Sequence, residues 1–184
     1  MSSPTLAQGS SRALAESLAE TLESIAFVAT DAFDDADLWT ANHSPICRVL
    51  VPFKGARSGG ITLYAPRALG DALVRTLFKS APSGELPSAE DMLKELANTV
   101  AGVSLRKAFA NAPQHVELCV PHLELIGRIP SCDEGARCGK AVLSVLGMPV
   151  FIAIHFGPHG TCACRQKRVA AFLGSQVGGA SPGA

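Results

Sequence analysis

The sequence has no surplus of charge of either sign, because 16 lysines and arginines balance 16 aspartates and glutamates. Proteins that bind nucleic acid through its phosphates usually carry an excess of positive charge, so the balanced charge argues against a nucleic-acid-binding protein. The longest apolar stretch, residues 141–156, is interrupted by Gly147 and Pro149. It also falls short of the ~20 residues that a membrane-spanning helix needs. Residues 1–9 lack a secretory signal pattern, so we expect a cytoplasmic protein without membrane or nucleic-acid partners.

Several common catalytic motifs are absent from the sequence. It contains no nucleophile elbow, phosphate-binding glycine loop, zinc-protease motif or dinucleotide fingerprint. Its six cysteines are expected to be free thiols, because nothing indicates export to an oxidising compartment. One alternative stays open, a zinc site near the carboxyl end, since zinc binds histidine and cysteine side chains. Its candidate ligands are His155, His159, Cys162 and Cys164, with Cys132 and Cys138 as possible additions.

The Cys-x-Cys spacing of that cluster is looser than the usual Cys-x-x-Cys zinc knuckle, and nothing forces the segments together. We therefore expect no bound metal. The length of 184 residues suits one domain with a substantial core. We predict a disordered lead over residues 1–10, a single domain over 11–176 and a flexible tail over 177–184. The 47% of hydrophobic residues would suit additional burial in an oligomer.

Hydrophobic spacing and turn residues predict the order of helices and strands. The strands come in hairpin groups instead of alternating singly with helices. This order predicts an α+β fold in which two long helices pack on one face of a largely antiparallel sheet. Helices are predicted over residues 11–28, after Pro66, from Ser88 to Phe109, and over 165–173. Strands are predicted over residues 46–53, 60–64, 116–128, 141–146 and 150–155, with a loop at 31–37 and a turn at 147–149.

The second long helix has a recognisable start. Ser88 offers a capping hydroxyl, and Asp91 stands three residues later, in the acid position of a capping box. At ~100° per residue, one side of this helix is apolar and is predicted to face the sheet. That side consists of Met92, Leu96, Val100 and Val103.

A polar row lies on another side of the same helix. Asp91, Glu95, Asn98 and Gly102 fall within an arc of roughly 60°. Residues three apart on a helix are neighbours, so Glu95 and Asn98 could act together on one external molecule. An isolated Glu-x-x-Asn pattern would carry no weight, since both residues could be ordinary solvated positions. The spacing to a later proline makes the pattern more specific.

Asp91, Glu95, Asn98 and Pro121 occupy all four positions of a signature known from the CheC, CheX and FliY chemotaxis phosphatases. That signature is Asp or Ser, three residues, Glu, two residues, Asn, twenty-two residues and Pro. The chain resembles this family over residues 11–157. The resemblance implies a CheX-like fold and a phosphatase that acts on the aspartyl phosphate of a CheY-like response regulator.

The resemblance also implies roles for individual residues. The Asn98 amide would orient the attacking water, and Glu95 would pair with a lysine of the phosphorylated response regulator. Magnesium would come from the partner, so the chain would need no cofactor of its own. Asp91 is assigned to partner binding, although its capping position explains it equally well. Helix geometry, and not the resemblance, suggests that Gly102 would let the partner's backbone approach closely, and Pro121 is expected to be structural.

The first helix separates branches of the family. CheC-type relatives often carry a second Glu-Asn pair there, but neither Glu20 nor Glu23 has an asparagine three residues later. The resemblance is therefore to the single-site, CheX-like branch, which is known for homodimers. The alternative function is a non-catalytic CheX-like module that binds a receiver domain or a signalling adaptor. The intact Asn98 argues against it, because a pure binder would not need that amide.

Overall fold

The computed structural model describes residues 6–26, 29–32, 45–55, 58–79, 86–109, 116–127 and 138–157. None of the helices in these ranges is long and apolar enough to cross a membrane. The helices are α1 (Leu6–Ala26), α2 (Arg67–Leu77) and α3 (Ala89–Ala108). The strands are β1 (Thr30–Ala32), β2 (Ile46–Gly55), β3 (Gly59–Pro66), β4 (Val116–Leu118), β5 (His122–Ile126), β6 (Cys138–Val145) and β7 (Met148–Phe156).

The seven strands form one sheet in the order β1-β6-β7-β3-β2, with β4 and β5 both paired to the outer edge of β2. All the described pairings are antiparallel. The two long ladders, β2 with β3 and β6 with β7, join strands that are consecutive in the chain. The predicted fold class, α+β with a largely antiparallel sheet, is therefore confirmed.

The main core lies between the helices and one face of the sheet. Successive side chains of a strand point to opposite faces, and Val49, Val51 and Phe53 of β2 all point toward the helices and are buried. Helix α1 packs on β6 and β7, whereas α3 packs on β2 and β3. The two long helices thus share one face, as predicted, and α2 packs beside α3.

Helix α1 differs from its prediction at the start. Its buried residues Leu14, Leu18 and Leu22 recur every four residues, which is the pattern that identified the helix. However, the helix begins at Leu6 and not at residue 11. Residues 6–10, predicted to belong to a disordered lead, are therefore helical. They lack the regular apolar spacing on which the prediction relied.

The segment predicted as one strand over residues 116–128 contains two strands, β4 and β5. Both pair with β2, but in registers that differ by one residue. Phe53 lies opposite Leu118, whereas Leu50 lies opposite His122. Two residues of β2 therefore face three residues of the other segment, which is the definition of a β-bulge.

Two prolines account for this bulge. Proline has no N–H, so neither Pro52 of β2 nor Pro121 of the partner segment can donate a ladder hydrogen bond. Pro52 still accepts through its carbonyl oxygen from the backbone N–H of Cys119 at 2.8 Å. The ladder therefore breaks just past Cys119 and resumes at His122. Pro121 ends one strand pairing and precedes the next, in keeping with a structural role.

Two further local predictions were wrong. The turn between β6 and β7 is formed by Leu146 and Gly147, with φ angles of 53° and 72°, and not by residues 147–149. A two-residue hairpin with both φ values positive has the twist that joins antiparallel strands, so Met148 already belongs to β7. The loop predicted over residues 31–37 starts inside the short strand β1. The predicted helix over 165–173 and the tail over 177–184 lie outside the described residues.

Candidate active site

The inner face of α3 is rotated relative to its prediction. Leu96 and Val100 are buried as expected, but Met92 and Val103 are only half-buried. The helix is enclosed by α1 and α2 as well as by the sheet, so small residues lie at its contacts. The fully enclosed positions also include Leu93, Ala97, Ala101, Ser104 and Leu105.

Contacts with α2 hold the first turn of α3 in place. A Cβ atom at Gly70 would lie 2.4 Å from the carbonyl oxygen of Ala89, so only glycine allows the two helices to approach this closely. Beside this contact, the Arg67 guanidinium donates to the Glu90 carboxylate at 2.6 Å. This ion pair lowers the pKa of the Glu90 carboxyl. Sequence reasoning missed both contacts, because nothing in the sequence shows which residues of two helices will meet.

Ser88 caps α3 as predicted. Its side chain accepts a hydrogen bond from the backbone N–H of Asp91 at 3.0 Å. The Asp91 carboxylate in turn accepts from the Ser88 hydroxyl at 2.8 Å and from the Lys94 ammonium at 3.0 Å. The hydrogen bond from Ser88, followed by that from Lys94, lowers the pKa of the Asp91 carboxyl. Asp91 thus already has two partners on its own helix, which matches its capping interpretation.

Glu95 and Asn98 stand on the outward side of the helix. Glu95 is exposed, and Asn98 is half-buried one turn further along. Neither side chain makes a hydrogen bond or an ion pair within the described part of the chain. A carboxylate and an amide that project side by side from a well-packed helix, with no partner in that part of the fold, are available to an external molecule.

Gly102 continues this row toward the sheet edge. A Cβ atom at Gly102 would lie 3.7 Å from the nearest described atom, Cδ1 of Leu118 in β4, which is an ordinary van der Waals distance. Internal packing therefore does not require glycine here, in contrast to Gly70. Pro121 lies three residues beyond Leu118, in the bulge between β4 and β5. The fold brings all four signature positions to α3 and the sheet edge beside it.

The histidine and cysteine cluster cannot be assembled from the described residues. His155 is buried in β7, with 5% of its surface exposed, whereas His159, Cys162 and Cys164 lie outside the described ranges. Among the described residues no group of three or more metal-binding side chains comes together. On α1, Glu20 pairs with Lys107 of α3 at 2.6 Å.

Comparisons with known proteins find one family model and several solved structures that resemble this chain. The model of the family described as chemotaxis phosphatase CheX matches residues 48–125, a range that contains Asp91, Glu95, Asn98, Gly102 and Pro121. No curated protein matches the chain. A CheX crystal structure from Vibrio vulnificus is 17% identical, with a TM-score of 0.62 over 84% of this chain and 100% of that chain.

Two further solved structures have the same fold. CheX from Desulfovibrio desulfuricans is 12% identical, with a TM-score of 0.58 over 80% of this chain and 99% of that chain. A chain in the CheX–CheY–BeF3–Mg²⁺ complex from Borrelia burgdorferi is 12% identical, with a TM-score of 0.53 over 80% of this chain and 97% of that chain. The family model thus matches residues 48–125, less than half of the chain, and the solved structures show that the chain has the same fold as CheX.

Proposed function

We propose that this chain removes the phosphoryl group from the aspartate of a CheY-like response regulator. The match to the CheX family supports phosphatase activity, and the Borrelia burgdorferi complex supports a CheY-type partner. The observation that carries the proposal is the outward orientation of Glu95 and Asn98 on α3, without a partner in the described part of the chain. The absence of an asparagine three residues after Glu20 or Glu23 supports a single site.

Asn98 has the chemistry to position the attacking water. Phosphoryl transfer depends on alignment and charge stabilisation more than on covalent participation by the protein. An amide can donate one hydrogen bond and accept another, so it can fix a water with a lone pair directed at phosphorus. Because the amide is neutral, it does not add negative charge next to the phosphoryl oxygens. The half-buried position of Asn98 restricts its rotamers and favours a defined geometry.

Glu95 has the chemistry to anchor the partner. Its carboxylate is exposed one turn before Asn98, so an ion pair with a lysine of the response regulator would fix the reach of the amide. Magnesium, held by the partner's own acidic pocket, would neutralise the charge that develops on the phosphoryl group. Asp91 would extend the contact along the helix, and Gly102 would let the partner's backbone come close to α3.

The direct test is the loss of phosphate from a phosphorylated CheY-like protein, with magnesium present, with and without this chain. We expect catalytic amounts of the chain to accelerate dephosphorylation. Measuring the binding of this chain to the same phosphorylated protein distinguishes the phosphatase from the alternative function, a non-catalytic binding module. A chain that binds the phosphorylated protein without changing its lifetime would be a non-catalytic binding module, and the phosphatase proposal would fail.

The proposal also covers the oligomeric state and the cellular location of the chain. The 47% of hydrophobic residues and the CheX-like fold support a homodimer. The proposed CheY-like partner supports a cytoplasmic location. Light scattering on the purified chain tests the first point, since a mass near 19.1 kDa would identify a monomer and exclude the homodimer.

A further inference from the structure

Two large apolar side chains are unusually exposed on the β4–β5 edge of the sheet. Val120 has 75% of its surface exposed and Leu125 has 58%, the two highest values among the exposed large hydrophobic residues of the described ranges. Neither belongs to the residues that pack on the core, although Leu118 and Leu123 of the same edge do. Exposed apolar surface that is rimmed by polar residues typically marks a binding region.

Leu125 lies on the same face of the sheet as α3. Leu125 pairs directly with Cys47 of β2, and directly opposed residues of an antiparallel pair point to the same face. Cys47 belongs to the core beneath the helices. Leu125 therefore points to the helix-bearing side, at the edge of the sheet where β5 has no further neighbour in the described part of the chain.

The edge also adjoins the polar row on α3. The helix contacts both β4 and β5, and Leu118 of β4 is the nearest described residue to a Cβ atom placed on Gly102, at 3.7 Å. Val120 lies two residues after Leu118, within the bulge that separates the two strands. An external molecule seated on Glu95, Asn98 and Gly102 would therefore have this edge beside it.

The other two flanks of α3 differ in character. Toward α1, Lys107 forms an ion pair with Glu20 at 2.6 Å. Toward α2, Arg67 forms an ion pair with Glu90, also at 2.6 Å. The charged groups named on these flanks already have partners within the fold. The β4–β5 edge offers exposed apolar surface instead, and removing such surface from water favours association.

We propose that Val120 and Leu125 form a second, apolar contact with the response regulator, adjacent to the polar contact made by Glu95 and Asn98. The inference rests on the proposed function. A stable interface covers about 800 Å² on each partner, which exceeds what one stripe of four residues on a helix can supply. The partner must therefore cover a neighbouring flank. Its matching surface is a patch of apolar side chains beside its phosphorylated acidic pocket, because binding energy concentrates in desolvated apolar contacts.

The test uses the full chain with Val120→Thr and Leu125→Thr, singly and combined. Threonine is tolerated in strands and at bulges, so the fold should persist. Affinity for a phosphorylated CheY-like protein is measured by titration, and the maximal dephosphorylation rate by single turnover. We expect about tenfold weaker binding for the double variant with an unchanged maximal rate. Leu146→Asn is the control: Leu146 is exposed in the β6–β7 turn, and asparagine tolerates its positive φ.

The outcomes separate this inference from the function on which it rests. If the wild-type chain binds and dephosphorylates the partner but the double variant binds equally well, the apolar contact is wrong and the function stands. If the substitutions change the mass of the chain in light scattering but not its affinity, the edge belongs to a second copy of the chain, which also overturns the inference. If the wild-type chain neither binds nor dephosphorylates the partner, both fail. Should the double variant not fold, Val120→Thr alone decides, because Val120 lies outside the strands.

Discussion

Helices α1 and α3 are similar in length and pack side by side on the same face of the sheet, yet their outward carboxylates differ. On α1, Glu16 pairs with Arg12 at 2.7 Å and Glu20 pairs with Lys107. On α3, Glu95 has no such partner in the described part of the chain, and neither has Asn98. Two glutamates of α1 are thus engaged within the fold, whereas the central pair of α3 is left available.

The difference teaches how to distinguish a solvated helix face from a binding face. Exposed ion pairs such as that between Glu16 and Arg12 contribute little to stability and engage both groups within the chain itself. Glu95 and Asn98 make no hydrogen bond or ion pair in the described part of the chain, so polar contacts within the fold give no reason for a carboxylate and an amide at these positions. Their helix is nevertheless held firmly, by the Gly70 contact, by Arg67 and by the core. A rigid support with unengaged polar groups is the arrangement that positioning catalysis requires.

The largest expected effect on stability concerns the packing that holds α3. Gly70→Ala should lower the free energy of unfolding by about 2 kcal/mol, because the new Cβ would meet the Ala89 backbone. This loss exceeds the ~1 kcal/mol that alanine usually gains over glycine in a helix. Chemical denaturation measures it. Gly102→Ala is the matched control and should leave stability unchanged or raise it, since its Cβ would make only an ordinary contact. Equal destabilisation by both changes would contradict this explanation of how α3 is held.

The next largest effect is a difference in partner affinity between substitutions of the α3 carboxylate Glu95 and the α1 carboxylate Glu20. Glu95→Ala should weaken binding to the phosphorylated response regulator about tenfold, because an ion pair with the partner is lost. Glu20→Ala on α1 should leave this affinity unchanged, since Glu20 pairs with Lys107 within the chain. Titration of both variants against the same partner measures the difference. Equal affinities for the two variants would remove the distinction between the helices.

The smallest effect concerns the first turn of α3 and depends on pH. The folded-state pKa of Asp91 is lowered by Ser88 and Lys94, so ionised Asp91 favours folding. This contribution is present above the unfolded-state pKa of about 3.9 and is lost as the pH falls through the lower folded-state value. The stability difference between the wild type and Asp91→Asn should therefore shrink on acidification. Denaturation from about pH 7 to about pH 2 measures it, and a difference independent of pH would refute the capping role of the charge.

Local sequence patterns predicted the elements but not how they meet. The periodic leucines of α1, the cap at Ser88 and the glycines between β2 and β3 identified their elements correctly, because the signals lie within a few residues of each other. The rotation of α3 could not be predicted, since it depends on contacts with α1 and α2. The break between β4 and β5 depends on Pro52 and Pro121 both falling between the two paired stretches, which requires the register. The short strand β1 is defined only by its pairing with β6.

The candidate site was more predictable than its surroundings. Four positions at fixed spacing identified α3, and the outward orientation of Glu95 followed from helix geometry alone. The contact between Asp91 and Ser88 could be anticipated from the capping pattern, whereas the contact with Lys94 was not predicted. Gly70 and Arg67 could not, because their contacts join two different helices. The exposed edge at Val120 and Leu125 also carries no sequence signal, since apolar strand residues are usually expected to be buried.

The most direct measurement is single-turnover dephosphorylation of a phosphorylated CheY-like protein, with the wild-type chain and Asn98→Ala each varied to saturation. We expect the maximal rate to fall about 100-fold with Asn98→Ala, while the half-saturating concentration stays the same, because the amide positions water without anchoring the partner. Thr99→Ala, on the adjacent residue, should behave like the wild type. An unchanged maximal rate with Asn98→Ala would show that the amide takes no part in the reaction.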